Sequence, residues 1–414
     1  MIPPKLNIVT STKGFVLLVI IVAGIMLAVA LYVPNSLPVH SDFSAIYNTD
    51  LALVNGVPIY DLPAVEAIAV EASGIPPDKF FLARFPYPPW YALSTFYLGL
   101  LPAKAAGTLW FELNLVMLFL SVWFLTDRWH PRLRLIAFPL ALFFLPVLGA
   151  LSVGQYDFPV LLGASMLVYS LRKENVALTT LGAVLLTFKP HIGALILLSV
   201  LIYLIVSGSR PALPKPYRDD VSSIEGFGRR ATRSVLLAGV LLFIVGFIAD
   251  PAWPISYPRM LLGYQNEGNV TACSECASLP VWLSRWFFDG SLAKAALIAL
   301  GLLIGLVGMF SVKRNVLRKS PALLIPSTLL ITLLVSPYLY NYDFILLLVP
   351  FAILVNHSNI GQRIVVVICY LLPTFAIAIY GRDGNISLIV ATILIASLLY
   401  LRANSKVDFP ALAS

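Results

Sequence analysis

Asp42, Asp157, Lys189, His191 and Asp343 are the side chains whose types and places suit chemistry. Three are acids, one is an ammonium and one an imidazole, and each stands at the edge of an apolar run. Ionisable groups near a membrane plane are costly to bury and mark function. A carboxylate close to cations fits a general base that draws a proton from a sugar hydroxyl. Lys189 and His191 fit the positive charge and hydrogen bonds that a phosphate leaving group would need. Around them stand Tyr47, Tyr60, Tyr87 and Trp90, rings on which a sugar can stack, and the polar side chains Arg84 and Gln155. Each residue also has a plainer reading. Asp42, Asp157 and Asp343 fit helix starts, and Lys189 a snorkelling side chain. His191 fits a satisfied interfacial histidine, and the rings an aromatic belt. Gln155 and Tyr156 fit partners for loop backbone, and Arg84 a partner for an acid of its own loop.

The elements that position these residues follow from composition. Hydrophobic residues make up 59% of the 414 residues and charged residues 12%, with a mean hydropathy of +0.89. Soluble domains carry about 25% charged residues, so the expected fold is an all-α polytopic membrane protein. The first apolar run, 14–33, is long enough to cross, and no small-residue cleavage site follows it. The net charge of +8 fits basic loops held against an anionic cytoplasmic leaflet. Nucleic acid is not an expected partner, because the basic clusters lack interleaved aromatics. There is no P-loop, no HExxH and no dinucleotide fingerprint. The acids form no obvious metal site, and neither a metal nor another cofactor is expected. Cys273 and Cys276 fit a small disulfide if their loop faces an oxidising compartment. A zinc site there lacks two further ligands.

Hydropathy places spans at 14–33, 106–125, 134–150, 158–171, 175–189, 191–206, 233–249, 291–311, 321–336, 343–356, 363–380 and 385–402. Short and proline-interrupted spans suit a bundle that encloses a cavity. The stretch 90–101 is brief and bracketed by prolines. If it dips into the outer leaflet and returns, there are about 12 spans and both termini lie inside. Most of the 28 Lys and Arg then face the cytoplasm, as the positive-inside rule expects. Two large outer loops result, 34–105 and 250–290. A third segment, 207–232, reads as a flexible cytoplasmic linker. Short outer turns fall at 154–157, 189–191 and 336–343, so Asp42, Asp157, Lys189, His191 and Asp343 open on one face. The expected division is a catalytic membrane domain over 1–358 and C-terminal spans with a short tail over 359–414.

Four stretches in order resemble glycosyltransferase family 87, of the C-type glycosyltransferase superfamily. They are Asp42-Phe43 with Tyr47 and Asn55-Gly56-Val57-Pro58-Ile59-Tyr60-Asp61; Phe85-Pro86-Tyr87-Pro88-Pro89; Gly154-Gln155-Tyr156-Asp157 with Lys189-Pro190; and Ser336-Pro337 through Tyr342-Asp343. The resemblance implies a bundle of the C-type plan, with short helices and a re-entrant segment in the first outer loop. It implies a polyprenyl-phosphate sugar donor, often mannose, and a lipid or glycan acceptor. It further implies transfer with inversion on the outer face of the plasma membrane. It maps the base onto Asp42 and the phosphate-binding lysine onto Lys189. Tyr47, Tyr60, Arg84, Tyr87, Gln155, Asp157, Tyr342 and Asp343 are then expected to line the substrates. Many relatives carry a histidine after Ser-Pro in the fourth stretch, where this chain has Tyr340-Asn341-Tyr342-Asp343. The alternative readings are a transporter or flippase of lipid-linked saccharides, which needs acids deep within spans such as Glu112, and a non-catalytic membrane scaffold.

Overall fold

The computed structural model describes residues 42–208, 218–266, 323–336, 339–357 and 359–404, with Gly24, Leu37, Ala277, Leu279, Pro280, Trp282, Leu283 and Gly301 besides. Apart from Gly24 and Gly301, the expected spans 14–33 and 291–311, the cysteine pair and the basic cluster at 313–319 lie outside the described residues.

Everything regular among the described residues is helical. The first outer loop opens with α1 (Phe43–Val54), ended by Asn55 and by Gly56 at φ 71°. The chain then turns into α2 (Leu62–Ser73), whose N-cap Asp61 accepts a bond from the Ala64 amide at 3.4 Å. Pro88 and Pro89 start α3 (Pro89–Thr95), which tightens into a 3₁₀ segment, Phe96–Leu100. The stretch 90–101 is therefore a short broken helix rather than one long enough to cross.

Pro102 begins α4 (Ala103–Leu125), a span of 23 residues. The apolar run expected as one span at 134–150 is two helices, α5 (Pro131–Leu142) and α6 (Leu145–Val153), bent by 56°. Pro146 sits in the first turn of α6, where its missing N–H costs nothing, and the break falls just before it. There follow α7 (Asp157–Lys173), α8 (Val176–Leu186), α9 (Pro190–Gly208) and α10 (Arg218–Ala249). Residues 218–232, expected to belong to a linker, are the first turns of α10, where Phe227 and Ala231 are buried. Next come α11 (Trp253–Asn266), α12 (Leu324–Val335), a 3₁₀ segment Asn341–Leu347, α13 (Leu348–His357), α14 (Ile360–Tyr380) and α15 (Ile386–Asn404).

Among the described residues five helices are long and apolar enough to cross a membrane, or six if the bent pair is one span. The outward faces of α10 and α14 carry Leu237, Val240, Ile244, Val367, Ile368 and Phe375. Exposed apolar stripes of this length have lipid as their natural solvent. Inside, α7 packs on α4 and α8. Its approach to α8 is close because Gly163 and Gly182 face each other. A Cβ on Gly163 would stand 2.7 Å from the Gly182 carbonyl. Small residues at such crossings let helix backbones meet in lipid.

Candidate active site

Four segments distant in sequence meet at one end of the bundle: the start of α1, the turn before α7, the α8–α9 turn and the turn after α12. Gly154 makes the second of these possible. It ends α6 in the left-handed region at φ 66°, where a side chain is strained. A Cβ there would also fall 2.7 Å from the Phe43 Cβ. The Trp110 indole donates to the Gly154 carbonyl at 2.8 Å. The turn is thus pinned from α4 and laid against the residue next to Asp42.

Asp42 occupies the N-cap position of α1, yet its carboxylate makes no capping bond. The Gln155 amide donates to its Oδ2 at 2.7 Å instead. The Gln155 carbonyl oxygen accepts from the Tyr156 amide at 2.9 Å, which fixes the orientation of the side chain. The Tyr156 hydroxyl donates to the Asp42 backbone oxygen at 2.9 Å, and Tyr342 stands close enough to the Asp42 carboxylate to stabilise its charge. Burial lifts the Asp42 carboxyl above its ordinary value. The Lys189 charge, Tyr342 and Gln155 pull it back in part, while Asp157 pushes it up further. The result is a more basic carboxylate than one in water, held by the Gln155 amide.

Lys189 does not snorkel. It is 2% exposed, and its ammonium lies 2.7 Å from Asp157 Oδ1. It pairs also with Asp343 Oδ1 and sits 5.5 Å above the Tyr342 ring. Asp157 stands at the first position of α7, and its Oδ2 has no hydrogen-bond partner among the described residues. Asp343 combines both of its readings: Oδ2 accepts from the Tyr340 amide at 2.7 Å and so caps its turn, while Oδ1 holds Lys189. Lys189 is carried on a rigid hairpin turn. Trp90 donates to Thr187 at 2.9 Å, and the Phe188 ring stacks on Tyr91 at 4.6 Å.

The other expected residues are spread around this centre. His191 is exposed at the second position of α9, and its imidazole makes no hydrogen bond to a described residue. Tyr87 is buried behind the turn, its ring 4.3 Å from that of Tyr156. Tyr60 donates to the Tyr87 carbonyl at 2.6 Å and lies 5.4 Å from the Tyr257 ring of α11. Tyr47, on α1, donates to the Leu101 carbonyl at 2.9 Å. Arg84 is half-buried in the first loop. Tyr47, Tyr60 and Tyr87 therefore place their hydroxyls on protein carbonyls or in protein packing. Glu112, the acid expected of a transport path, is exposed on α4. No group of acids, histidines and cysteines among the described residues has the geometry for a metal ion.

The model of glycosyltransferase family 87 matches residues 85–337. This chain belongs to glycosyltransferase family 87. It is accordingly a membrane glycosyltransferase that works on a sugar donor and an acceptor. Curated proteins and solved structures give no match. The stretch matched to the family contains Asp157 and Lys189 but neither Asp42 nor Asp343. Those two join the centre through geometry alone, by the Gln155 bond and the Lys189 pair.

Proposed function

We propose that this family 87 enzyme transfers mannose or another hexose from polyprenyl phosphate to a lipid or glycan acceptor on the extracytoplasmic face of the plasma membrane, with inversion. The observation that carries the reading is the meeting of Asp42 with Lys189 and its two carboxylates across the chain. Asp42 takes the proton of the acceptor hydroxyl as its oxygen attacks the anomeric carbon. A phosphate-linked sugar is already activated, so the remaining tasks are orientation and stabilisation of the departing phosphate.

Lys189 suits the second task in a particular way. An ammonium has three N–H donors. Asp157 and Asp343 occupy two and fix its direction, leaving the third for a phosphate oxygen. His191, exposed two residues away, adds a second donor on the same side. Tyr342 bridges the two halves, since it stands close to Asp42 and its ring underlies Lys189. In this reading Gln155 orients the base, and Tyr60 and Tyr87 form the wall behind the substrates. Residues 250–266 cover the first loop through Tyr257 on Tyr60 and Trp253 on Trp90, which suits a second outer loop that closes the site. The 12-span topology, with 90–101 dipping into the outer leaflet and 1–358 as the catalytic unit, puts every one of these residues outside.

The reading is tested by reconstituting the purified protein with a defined polyprenyl-phosphate hexose and a membrane glycolipid acceptor. Release of polyprenyl phosphate, dependent on acceptor, is expected. No release with any such donor, alongside turnover of a nucleotide sugar, would overturn it.

A further inference from the structure

Asp50 lies two turns beyond Asp42 on α1 and is fully buried, with no exposed surface at all. No cation among the described residues pairs with it. Its Oδ1 is 3.1 Å from the Thr95 hydroxyl of α3, and its Oδ2 has no hydrogen-bond partner among the described residues.

Counting protons at Thr95 decides the state of this acid. The Thr95 oxygen is also 3.3 Å from the Tyr91 carbonyl and 3.2 Å from that of Ala92. A hydroxyl has one proton and two lone pairs. Were Asp50 a carboxylate, three acceptors would compete for that one proton, and a buried charge would keep one bare oxygen. An uncharged acid removes the conflict. Its O–H donates to the Thr95 oxygen, and the Thr95 proton goes to a helix carbonyl. The oxygen left over is then a carbonyl, which is cheaper to leave unpaired than a charged one. Burial pushes the carboxyl well above its ordinary value, with the Thr95 bond offsetting part of this. The titratable groups that face it are Tyr91 of α3 and Tyr97 of the 3₁₀ segment. The charged residues of the flanking helices, Glu66 and Glu71 on α2 and Lys104 and Glu112 on α4, are exposed.

The backbone approaches closely at the same point. A Cβ on Gly99 would overlap the Asp50 carbonyl, so α1 lies directly on the segment 96–100. We propose that Asp50 is a positioning residue for Asp42: an uncharged acid that clamps α1 to the 89–100 segment and so holds the Asp42 carboxylate against Gln155. The proposal rests on the reading of Asp42 as the base. A base displaced by about an ångström loses much of its effect.

The test compares wild type, Asp50→Asn and Asp50→Ala as full-length protein in detergent. Asparagine matches a protonated acid, because its amide N–H can donate to Thr95. An unfolded aspartate ionises near pH 4, so folding to a neutral Asp50 takes up a proton. Wild-type stability therefore falls as pH rises above that value, whereas Asp50→Asn escapes the loss. The expected result is an apparent Tm for Asp50→Asn at or above wild type at about pH 7.5, with the difference shrinking toward about pH 4.5. In transfer assays Asp50→Asn keeps kcat within about threefold, while Asp50→Ala loses at least about tenfold in kcat with KM for the donor unchanged. An Asp50→Asn variant less stable than wild type at the higher pH overturns the proposal, as does one that loses kcat as Asp50→Ala does. The stability comparison needs no turnover. Absence of sugar transfer by wild type would refute the proposed function, while the clamp would still be judged by the stability shift.

Discussion

The Gln155 amide donates to Asp42 Oδ2 at 2.7 Å across 113 positions of sequence. This bond favours the ionised form of the carboxyl, against burial, which favours the neutral one. Removing it with Gln155→Leu lets the carboxyl rise further. A base must be deprotonated to work, so activity is lost as pH falls through its pKa. The acid limb of kcat/KM in Gln155→Leu is therefore expected at higher pH than in wild type. Paired pH–rate profiles measure it. A limb that stays in place means Asp42 is not the titrating base.

Lys189 is the cation that makes Asp157 and Asp343 tolerable in the interior. Lys189→Met leaves two buried carboxylates unpaired and is expected to cost about 3–5 kcal/mol of stability. Adding Asp157→Asn and Asp343→Asn removes the stranded charges and should recover much of that loss. It should not recover transfer, because no ammonium remains for the phosphate. Thermal unfolding and transfer, measured on the single and triple variants, separate the two roles. Wild-type turnover by the triple variant would remove Lys189 from the mechanism.

Gly154→Ala places a Cβ against Phe43, the neighbour of Asp42, at a backbone angle that favours glycine. Overpacking of this kind costs about 1–3 kcal/mol. The displaced part is the proposed base rather than the proposed donor site, so kcat is expected to fall with KM little changed. A variant with wild-type kcat would show that the turn does not set the position of Asp42.

The topology has its own check. Lys79 in the first loop and Lys173 at the end of α7 are both exposed. In a background without native cysteines, a cysteine at 79 is expected to react with a membrane-impermeant thiol reagent in intact cells. A cysteine at 173 is expected to react only after permeabilisation. The reverse pattern would put the candidate site in the cytoplasm.

The sequence makes much of this arrangement readable, for definable reasons. Asp157, Lys189 and Asp343 stand out because each is a charged residue at the end of an apolar run, where burial demands an explanation. That Lys189 is shared between both acids is not readable, because their separations of 32 and 154 residues depend on how helices pack. Asp50 looks ordinary, an acid in a polar stretch, until α1 is laid against Thr95 and Gly99. Hydropathy locates α4, α9, α14 and α15 well, but merges α5 and α6, since proline breaks an apolar run without changing its hydropathy. The polar start of α10 reads as linker because composition cannot show that Phe227 and Ala231 find a buried surface. Tyr60 and Tyr87 read as sugar-stacking rings, and a ring's type does not reveal that its hydroxyl or edge is committed to protein.

The most direct measurement is transfer by Asp42→Asn. The substitution keeps the size of the side chain and its ability to accept from Gln155, but cannot take a proton. General-base catalysis contributes about 10²–10⁴-fold. With purified variant and a polyprenyl-phosphate hexose, kcat is expected to fall by that range while the protein remains folded, membrane-inserted and able to bind the donor. Turnover equal to wild type would contradict the account at its centre.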